Sequence, residues 1–384
     1  MEPFRIEVAD AVIDDLRQRI DRTRWPLDPD NAHWGYGTNL AYLRELAAYW
    51  RDGFDWRAQE ARINRLDHFR TVIDDVPIHF VHQRGRGPAP LPLIMSHGWP
   101  WTFWDLQKVI GPLSDPGSHG GDPADAFDLV IPSLPGFAFS TPLLRTGIAF
   151  HHVAEMWVEL MDRLGYRRFA AQGGDFGAFV TAQLGHRHAD RLVGIHVHLA
   201  GPLGMITGNA PPREDYGPGE EDWHDANQRF LASGGAYAAI QATRPQTLAY
   251  GLNDSPVGMA AWLLEKRRDW SDCGGDVERC FSKDDLLTNF TIYWATQSLQ
   301  SSIRLYAESR RHPWQPAHDR QPVIETPTGI AIMAQDMVKL PRRWAGRYYN
   351  LRRWTVIEGA GHFAPMEAPG ALVEEIRAFF RPLR

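Results

Sequence analysis

The sequence has little cysteine, little lysine and no long hydrophobic run. Its only cysteines, Cys273 and Cys280, lie in one polar stretch of a 384-residue chain. Two cysteines cannot form the disulfide framework of a small secreted protein or supply the ligands of a structural zinc site. They leave open only a local bridge between themselves. We therefore expect no disulfide scaffold and no bound metal.

Positive charge is not concentrated anywhere along the chain. The formal net charge is -6 at pH 7, and no run of basic residues is interleaved with aromatic ones. A nucleic-acid-binding surface needs such a concentration of cations to neutralise phosphates. Lysine is rare while arginine is abundant, a bias that indicates a GC-rich bacterial genome. The sequence therefore predicts a bacterial protein without a nucleic-acid partner.

Membrane and secretion signals are also missing. No stretch approaches the roughly 18 consecutive apolar residues of a membrane-spanning helix. Residues 1–5 lack the charged and apolar regions of a signal peptide. We expect a soluble, cytoplasmic protein with no membrane contact, and the sequence leaves open whether it forms homo-oligomers.

The alternation of local patterns predicts an α/β fold. Strand-type runs alternate with helical patterns over residues 69–201 and again over 318–384, which indicates a mostly parallel central sheet covered on both faces. Residues 1–68 are predicted to be a helical meander. Residues 202–317 lose the strand signal and are predicted to be a helical lid inserted into the sheet domain.

Individual elements are predicted from the same patterns. Strand-type runs lie at residues 70–83, 92–95, 128–132, 168–172, 328–334 and 354–358. Helical patterns lie at residues 12–19, 39–51, 148–164, 241–251, 257–267, 284–309 and 371–380.

The most informative motif is Gly-Gly-Asp-Phe-Gly at residues 173–177, directly after a strand-type run. Small residues around a central side chain are typical of a nucleophile elbow, a strained strand-to-helix turn that exposes that side chain. Here the side chain is Asp175. A carboxylate suits displacement at a saturated carbon, giving an alkyl ester that water must then cleave. We therefore expect hydrolysis of a strained or activated C–O or C–halogen bond, without a metal or organic cofactor.

A base and an orienting acid follow later in the chain. His362 lies in a glycine-rich turn after the last strand-type run, where backbone freedom lets the imidazole reach the elbow. Asp336 follows the preceding strand-type run and would accept the Nδ1 hydrogen of His362. Asp336 could instead cap a turn, with Glu325 or Glu358 as the acid. The order nucleophile, acid, base matches the hydrolase topology in which three loops converge at one sheet edge.

The segment His-Gly-Trp-Pro at residues 97–100 follows another strand-type run. Such a turn can direct the Trp99 N–H at the reaction centre, together with the Phe176 N–H. These two donors would form the oxyanion hole for the attack of water on the Asp175 ester. The alternative is an ordinary proline turn that packs aromatic side chains.

These motifs together resemble the epoxide hydrolases of the α/β-hydrolase superfamily, in the microsomal-type branch with an N-terminal meander. The resemblance covers nearly the whole chain. Besides the elbow and the His-Gly-Trp-Pro turn, it is carried by residues 25–26, 42–43, 49–50, 54–57, 79–82, 251–258 and 361–363. It implies an α/β-hydrolase fold and the opening of a small-molecule epoxide by water to give a vicinal diol.

The resemblance also implies two lid tyrosines whose hydroxyls bind the epoxide oxygen. Local motifs place them at Tyr237 and Tyr306, with Tyr250 as the nearest alternative. A phenol can donate to a leaving alkoxide without being charged itself.

Three departures from the family pattern bear on the substrate pocket. Phe176 stands where this branch usually has Trp, Trp101 where a small residue is common, and Ala138 where Gly is frequent. The aromatic residues Trp99, Trp101 and Phe176 are predicted to bind substrate, which would suit a bulky aryl epoxide. Some bacterial relatives serve natural-product pathways, so the resemblance implies a role in secondary metabolism. Core packing explains these aromatic residues about as well.

Two alternatives remain at this point. A haloalkane dehalogenase uses the same nucleophile and base but needs side-chain N–H donors for the halide, which Phe176 lacks and Trp99 has. A non-catalytic ligand-binding protein on the same scaffold would often lack a triad member, whereas this chain has candidates for all three.

Overall fold

The computed structural model describes residues 1–199, 201 and 211–384. The strands are β1 (Glu2–Pro3), β2 (His68–Ile73), β3 (Val76–Gln83), β4 (Leu91–Ser96), β5 (Phe127–Pro132), β6 (Phe169–Gly173), β7 (Leu192–Val197), β8 (Ile324–Met333) and β9 (Tyr349–Ile357). The first part of the predicted lid, residues 202–210, lies outside the described residues.

The helices of the described residues surround this sheet. Outside the lid they are α1 (Asp10–Asp21), α2 (Leu40–Asp52), α3 (Trp56–Ile63), α4 (Gln107–Ser114), α5 (Phe150–Arg163) and α6 (Phe176–Arg187). The lid helices are α7 (Glu221–Ser233), α8 (Ala236–Thr243), α9 (Pro245–Asp254), α10 (Pro256–Asp269), α11 (Lys283–Ala295) and α12 (Leu299–Arg311). The chain then adds α13 (Arg342–Tyr348), α14 (Ala364–Glu367) and α15 (Pro369–Phe380).

The nine strands form one sheet in the order β1-β2-β3-β5-β4-β6-β7-β8-β9. The pairs from β1 to β5 are antiparallel, and the pairs from β5 through β4 to β9 are parallel. This confirms the predicted mostly parallel sheet. Because parallel strands end at one edge, the loops after β4, β6, β8 and β9 lie at the same edge. Those loops carry most of the predicted site residues.

The central strands are buried on both faces. In β4, Leu93, Ile94 and Met95 have no exposed surface, and all of β6 is buried. Helix α6 packs against β6 and β7, α5 packs on α6, and α4 packs with α15. A strand covered on both faces is a continuous apolar run, which explains why β4 and β6 are evident in the sequence.

A hairpin replaces the single strand predicted over residues 70–83. Asp74 and Asp75 have φ values of 49° and 61° and turn β2 back antiparallel to β3. Aspartate tolerates this left-handed conformation because its short side chain can hydrogen-bond locally. The prediction was wrong because the turn lies within an otherwise strand-rich run.

Two long helical patterns in the lid are each broken into two helices. The pattern at 241–251 crosses from α8 to α9, where Pro245 starts a new helix. The pattern at 284–309 crosses from α11 to α12, where Gln297 has a φ of 50°. Both predictions were wrong because helical periodicity continues across a short break.

The N-terminal helices pack against the lid. In α2, the Trp50 indole N–H donates to Thr291 Oγ of α11 at 2.9 Å, and this contact is buried. In α1, Arg19 forms an exposed ion pair with Asp254 at the end of α9. Strand β2 begins at His68, the last residue of the predicted meander.

Candidate active site

Asp175 lies in a strained turn between β6 and α6. Its φ of 49° is in the left-handed region that side-chain-bearing residues rarely adopt. A Cβ added at Gly174 would lie 1.8 Å from His198 Nε2, and one at Gly177 would lie 1.9 Å from the Ser96 carbonyl oxygen. The close approach of these neighbours therefore requires the small residues of the elbow.

The loop after β4 holds one carboxylate oxygen of Asp175. The Trp99 N–H donates to Asp175 Oδ1 at 2.7 Å. A Cβ at Gly98 would lie 2.3 Å from that oxygen, so glycine is needed for this approach. His97 supports the turn, since its Nδ1 lies 3.0 Å from the Gly98 carbonyl oxygen and its Nε2 accepts from the Leu134 N–H. Burial lowers the pKa of His97 to about 4, which keeps it neutral.

Phe176, the second predicted oxyanion donor, is the first residue of α6. The first amides of a helix have no acceptor within the helix. Among the described residues, the Phe176 N–H donates to no acceptor. Its role as an oxyanion donor stays a prediction.

His362 and Asp336 reach Asp175 from the loops after β9 and β8. His362 Nδ1 lies 3.0 Å from Asp336 Oδ1, and His362 Nε2 lies 3.3 Å from Asp175 Oδ2. All three side chains are buried. The Met337 N–H also donates to Asp336 Oδ1 at 2.7 Å, which fixes the orientation of that carboxylate. The structure thus brings the three predicted residues together.

The alternative acids lie elsewhere. Glu325 pairs with Arg320, and Glu358 is exposed. His362 Nε2 has no hydrogen-bond partner among the described residues, so its 3.3 Å approach to Asp175 Oδ2 is a charge contact.

His362 lies between the carboxylates of Asp336 and Asp175. Burial disfavours the charged imidazole, but the charges of Asp336 and Asp175 outweigh burial and raise the pKa of His362 to about 10. A pKa near 10 favours the protonated imidazole at neutral pH, with Asp336 as the larger source of the shift and Asp175 as the smaller.

Tyr237 of α8 and Tyr306 of α12 meet beside Trp99. Their ring centroids are 6.0 Å apart, and the Trp99 ring lies 5.5 Å from Tyr237 and 5.7 Å from Tyr306. Burial, together with the nearby Asp175 charge, raises the pKa of both phenols. Both hydroxyls therefore stay protonated at neutral pH and can donate. The alternative, Tyr250, is 73% exposed on α9.

The predicted substrate-binding aromatics fall into two groups. Trp99 and Phe176 lie beside the tyrosines, with the Phe176 ring 4.6 Å from that of Tyr306. Trp101 instead stacks on His198 at 5.7 Å and meets His362 edge-on at 5.5 Å. These contacts place Trp101 against His362, and its role in substrate binding stays a prediction.

A buried ion pair ties the loop after β4 to the lid. Arg267 of α10 donates to both carboxylate oxygens of Asp105, at 2.5 and 3.1 Å, and to the Pro100 carbonyl oxygen at 2.9 Å. Tyr293 of α11 donates to the Trp101 carbonyl oxygen at 2.7 Å. The lid therefore helps to hold the loop that carries Trp99.

A second set of contacts joins the lid to the loop that carries His362. The His362 N–H donates to the Trp270 carbonyl oxygen at 2.7 Å, and the Trp270 ring meets the imidazole edge-on at 5.2 Å. Glu367 accepts from the amides on either side of His362. Sequence reasoning missed Trp270 and Glu367, because neither lies in a motif that marks chemistry. The only indication of Glu367 in the sequence is that a carboxylate follows His362 by five residues.

The structure also bears on the cysteines, on metal binding and on membrane-spanning helices. Cys273 and Cys280 are free thiols, so the local bridge left open by the sequence is not formed. Within residues 1–199, 201 and 211–384, no cluster of three or more His, Cys, Asp or Glu side chains is arranged to hold a metal ion. No helix in those ranges has the length and apolar character needed to cross a bilayer.

Comparison with known proteins identifies the family to which the chain belongs. Residues 1–106 match the family described as epoxide hydrolase N terminus, and residues 92–369 match the family described as alpha/beta hydrolase fold. The chain is 39% identical, over 100% of its length and 85% of the relative, to a Stigmatella aurantiaca protein assigned to the epoxide hydrolases. It is 35% identical to epoxide hydrolase 1 of Oryctolagus cuniculus, covering 99% of this chain and 88% of that protein.

A solved structure agrees with these sequence comparisons. The structure of Aspergillus niger epoxide hydrolase matches with a TM-score of 0.87 at 28% identity, covering 100% of this chain and 96% of that one. These similarities favour the resemblance drawn from the motifs over the two alternatives. The chain belongs to the epoxide hydrolases of the α/β-hydrolase fold and is a hydrolase enzyme.

Proposed function

We propose that Asp175 is the nucleophile with which this epoxide hydrolase opens its substrate to form an aspartyl ester. The observation that carries this proposal is that the two carboxylate oxygens of Asp175 have different partners. Oδ1 is held by the Trp99 N–H, whereas Oδ2 faces His362. Oδ2 would attack the epoxide carbon, and Oδ1 would become the ester carbonyl oxygen within reach of the oxyanion donor.

Tyr237 and Tyr306 would bind the epoxide oxygen as the ring opens. Their buried, neutral hydroxyls can donate to the developing alkoxide, which is too basic to leave unaided. The net proton taken up by the alkoxide is supplied by the His362 imidazolium. The first step therefore consumes one carboxylate charge and one imidazolium charge and leaves a neutral ester, a hydroxyl group and a neutral imidazole.

The same charges explain why His362 becomes a base only after the first step. Esterification removes the Asp175 charge, one of the two carboxylate charges that keep His362 protonated. The neutral imidazole can then take a proton from water while Asp336 stabilises the resulting imidazolium. Hydroxide attacks the ester carbonyl carbon, the acyl C–O bond breaks, and the vicinal diol leaves with Asp175 and the imidazolium restored.

The substrate class proposed is a bulky or aryl epoxide. Trp99, Phe176, Tyr237 and Tyr306 form an aromatic wall at the nucleophile, and such walls favour flat apolar groups. A panel of styrene oxide, stilbene oxides and short alkyl epoxides, assayed for diol formation with both enantiomers where they exist, tests this. A preference for the alkyl epoxides would contradict it.

The mechanism is tested by trapping the ester. In His362→Gln, we expect the protein mass to increase by the mass of the epoxide, and in Asp175→Ala no increase. In a single turnover in labelled water, the label should enter Asp175 before the diol. Label that passes directly to the diol, or a His362→Gln protein that binds epoxide without gaining mass, would falsify the two-step route.

We further infer a bacterial, cytoplasmic enzyme of secondary metabolism. The arginine-rich, lysine-poor composition supports the bacterial source, and the aromatic wall supports a bulky natural product as substrate. Cell fractionation and the activities encoded by neighbouring genes test these inferences. Recovery of the protein in the membrane fraction would contradict the location.

A further inference from the structure

We propose that Glu367 is a positioning residue that holds His362 for hydrolysis of the aspartyl ester. The proposal rests on the proposed roles of Asp175 and His362 and concerns only the second step. Glu367 ends the short helix α14, five residues after the base, and its carboxylate folds back towards the start of that helix.

The Glu367 carboxylate binds three backbone amides. Oε1 accepts from the Phe363 N–H at 2.7 Å, and Oε2 accepts from the Gly361 N–H at 2.9 Å. Oε2 also accepts from the Asp272 N–H of the lid at 2.7 Å. Hydrogen bonds from amides to an ionised acceptor are stronger than those between neutral groups. Both amides next to the base and one lid amide are thus held by a single side chain.

The amide of His362 itself is held by the lid. It donates to the Trp270 carbonyl oxygen at 2.7 Å. A Cβ at Gly361 would lie 2.5 Å from the same carbonyl oxygen and 2.8 Å from the Asp272 nitrogen, so the two segments are in close contact here. Three consecutive amides, at residues 361–363, are therefore fixed to a carboxylate or a lid carbonyl.

This arrangement fixes the base and leaves the nucleophile unaffected. Asp175 is positioned by its own elbow and by the Trp99 amide, neither of which contacts Glu367 within the described residues. Ester formation needs Asp175 and the two tyrosines in position and takes only a proton from His362. Ester hydrolysis needs the imidazole directed at a water molecule with small angular error, so loss of Glu367 should act on that step.

The test measures the two steps separately in single turnovers. The probe is the aryl epoxide of the panel above that the wild-type enzyme converts fastest, and intact mass after rapid quenching follows ester formation and decay. In Glu367→Ala, we expect ester decay to slow by about a hundredfold while ester formation changes less than about threefold. Glu367→Gln retains one acceptor oxygen and should recover part of the loss.

The matched control is Glu358→Gln, the same substitution in the same segment between β9 and α15. Glu358 is exposed and accepts no side-chain hydrogen bond from the described residues, so this variant should behave as the wild type. Unchanged ester decay in Glu367→Ala, or equal slowing of both steps, would overturn the proposal. If Glu367→Ala does not fold, the comparison of Glu367→Gln with Glu358→Gln decides alone.

Failure of this proposal is distinguishable from failure of the proposed function. If His362→Gln accumulates ester and Glu367→Ala does not, only the role of Glu367 is wrong. If neither variant accumulates ester, the covalent route itself is wrong.

Discussion

Gly98 has no side chain, and this allows the Asp175 carboxylate to approach the loop after β4. The Asp175 carboxylate occupies the position where any Cβ at residue 98 would lie. The strong contact between Oδ1 and the Trp99 N–H follows from that approach. A glycine required by contact is as much part of the site as the groups that ionise.

We predict that Gly98→Ala lowers the rate of diol formation by a hundredfold or more, on the order of the loss of one oxyanion donor. The added methyl group would push the Trp99 amide away from Asp175. Steady-state rates on the fastest panel substrate measure the effect, with circular dichroism as the check on folding. Gly251→Ala is the control, because nothing lies within 4 Å of its Cβ position in α9 and alanine favours the helix. A Gly98→Ala enzyme with wild-type rates would contradict the account of the loop.

A site residue can be predicted from the sequence when a short motif or a preceding strand marks it, and not when its contacts lie far away in the chain. Asp175, His362 and Asp336 each follow a strand-type run, and short motifs mark the first two, so all three are visible without a structure. Glu367 accepts hydrogen bonds from amides of the loop before α14 and of the lid, and no pattern of nearby residues encodes the contact with the lid.

At the scale of elements, the loop after β4 is held between the sheet and the lid. Arg267 and Asp105 are almost fully buried, with 2% and 4% of their side-chain surfaces exposed. Removing one partner of such a pair leaves an uncompensated buried charge, whereas removing both can be nearly neutral.

We predict that Arg267→Met lowers the free energy of unfolding by about 3–5 kcal/mol. The double variant Asp105→Leu/Arg267→Met should recover part of this loss. Arg19→Met, which breaks the exposed pair with Asp254, should cost less than about 1 kcal/mol. Urea titrations of the four proteins, wild type included, measure these values. Equal effects of Arg267→Met and Arg19→Met would show that burial of the pair is unimportant.

Elements were predicted best where the sequence marks their ends. Helices α2 and α10 agree closely with their patterns, and their caps, Asn39 and Ser255, accept hydrogen bonds from their first turns. Helices α8 and α9 were merged because an apolar periodicity spans both, although Pro245 marks the break. The pairing of β2 with β3 needed the conformation of two aspartates, which periodicity does not report.

At the scale of the whole molecule, several histidines are buried without charge. Burial lowers the pKa of His97 and His196 to about 4 and that of His198 to about 3. Unfolding returns each to an ordinary pKa near 6.5, so the unfolded chain binds more protons between about pH 4 and 6.5. Stability is therefore lost as the pH falls through that window. His362 acts in the opposite sense, because its raised pKa gives a contribution that is lost as the pH rises from about 6.5 to 10.

We predict that stability is greatest near pH 6.5, with an acid limb of about 1.4 kcal/mol per pH unit for each buried histidine. His196→Phe should make the acid limb shallower by about one such increment, because one buried imidazole no longer takes up a proton. His362→Gln should flatten the alkaline limb only. Urea titrations from pH 4.5 to 9.5 measure both limbs. An acid limb unchanged in His196→Phe would contradict the assignment.

The overall fold was predictable because alternating patterns and a few motifs at strand ends define its topology. The lid was predictable as helical, but its packing on the N-terminal helices and on the base was not. Those contacts join residues far apart in sequence, such as Trp50 with Thr291.

The close contact between Gly361 and the Trp270–Asp272 backbone has a consequence for recombining family members. In a chimera with the lid of another family member, the segment equivalent to residues 270–272 comes from that relative, whereas the loop with His362 comes from this chain. The backbone carbonyl and amide that contact the loop are then no longer matched to it. Crossovers that separate residues 270–272 from residues 361–367 should therefore give folded but slow enzymes. Libraries that transfer both segments together should retain turnover.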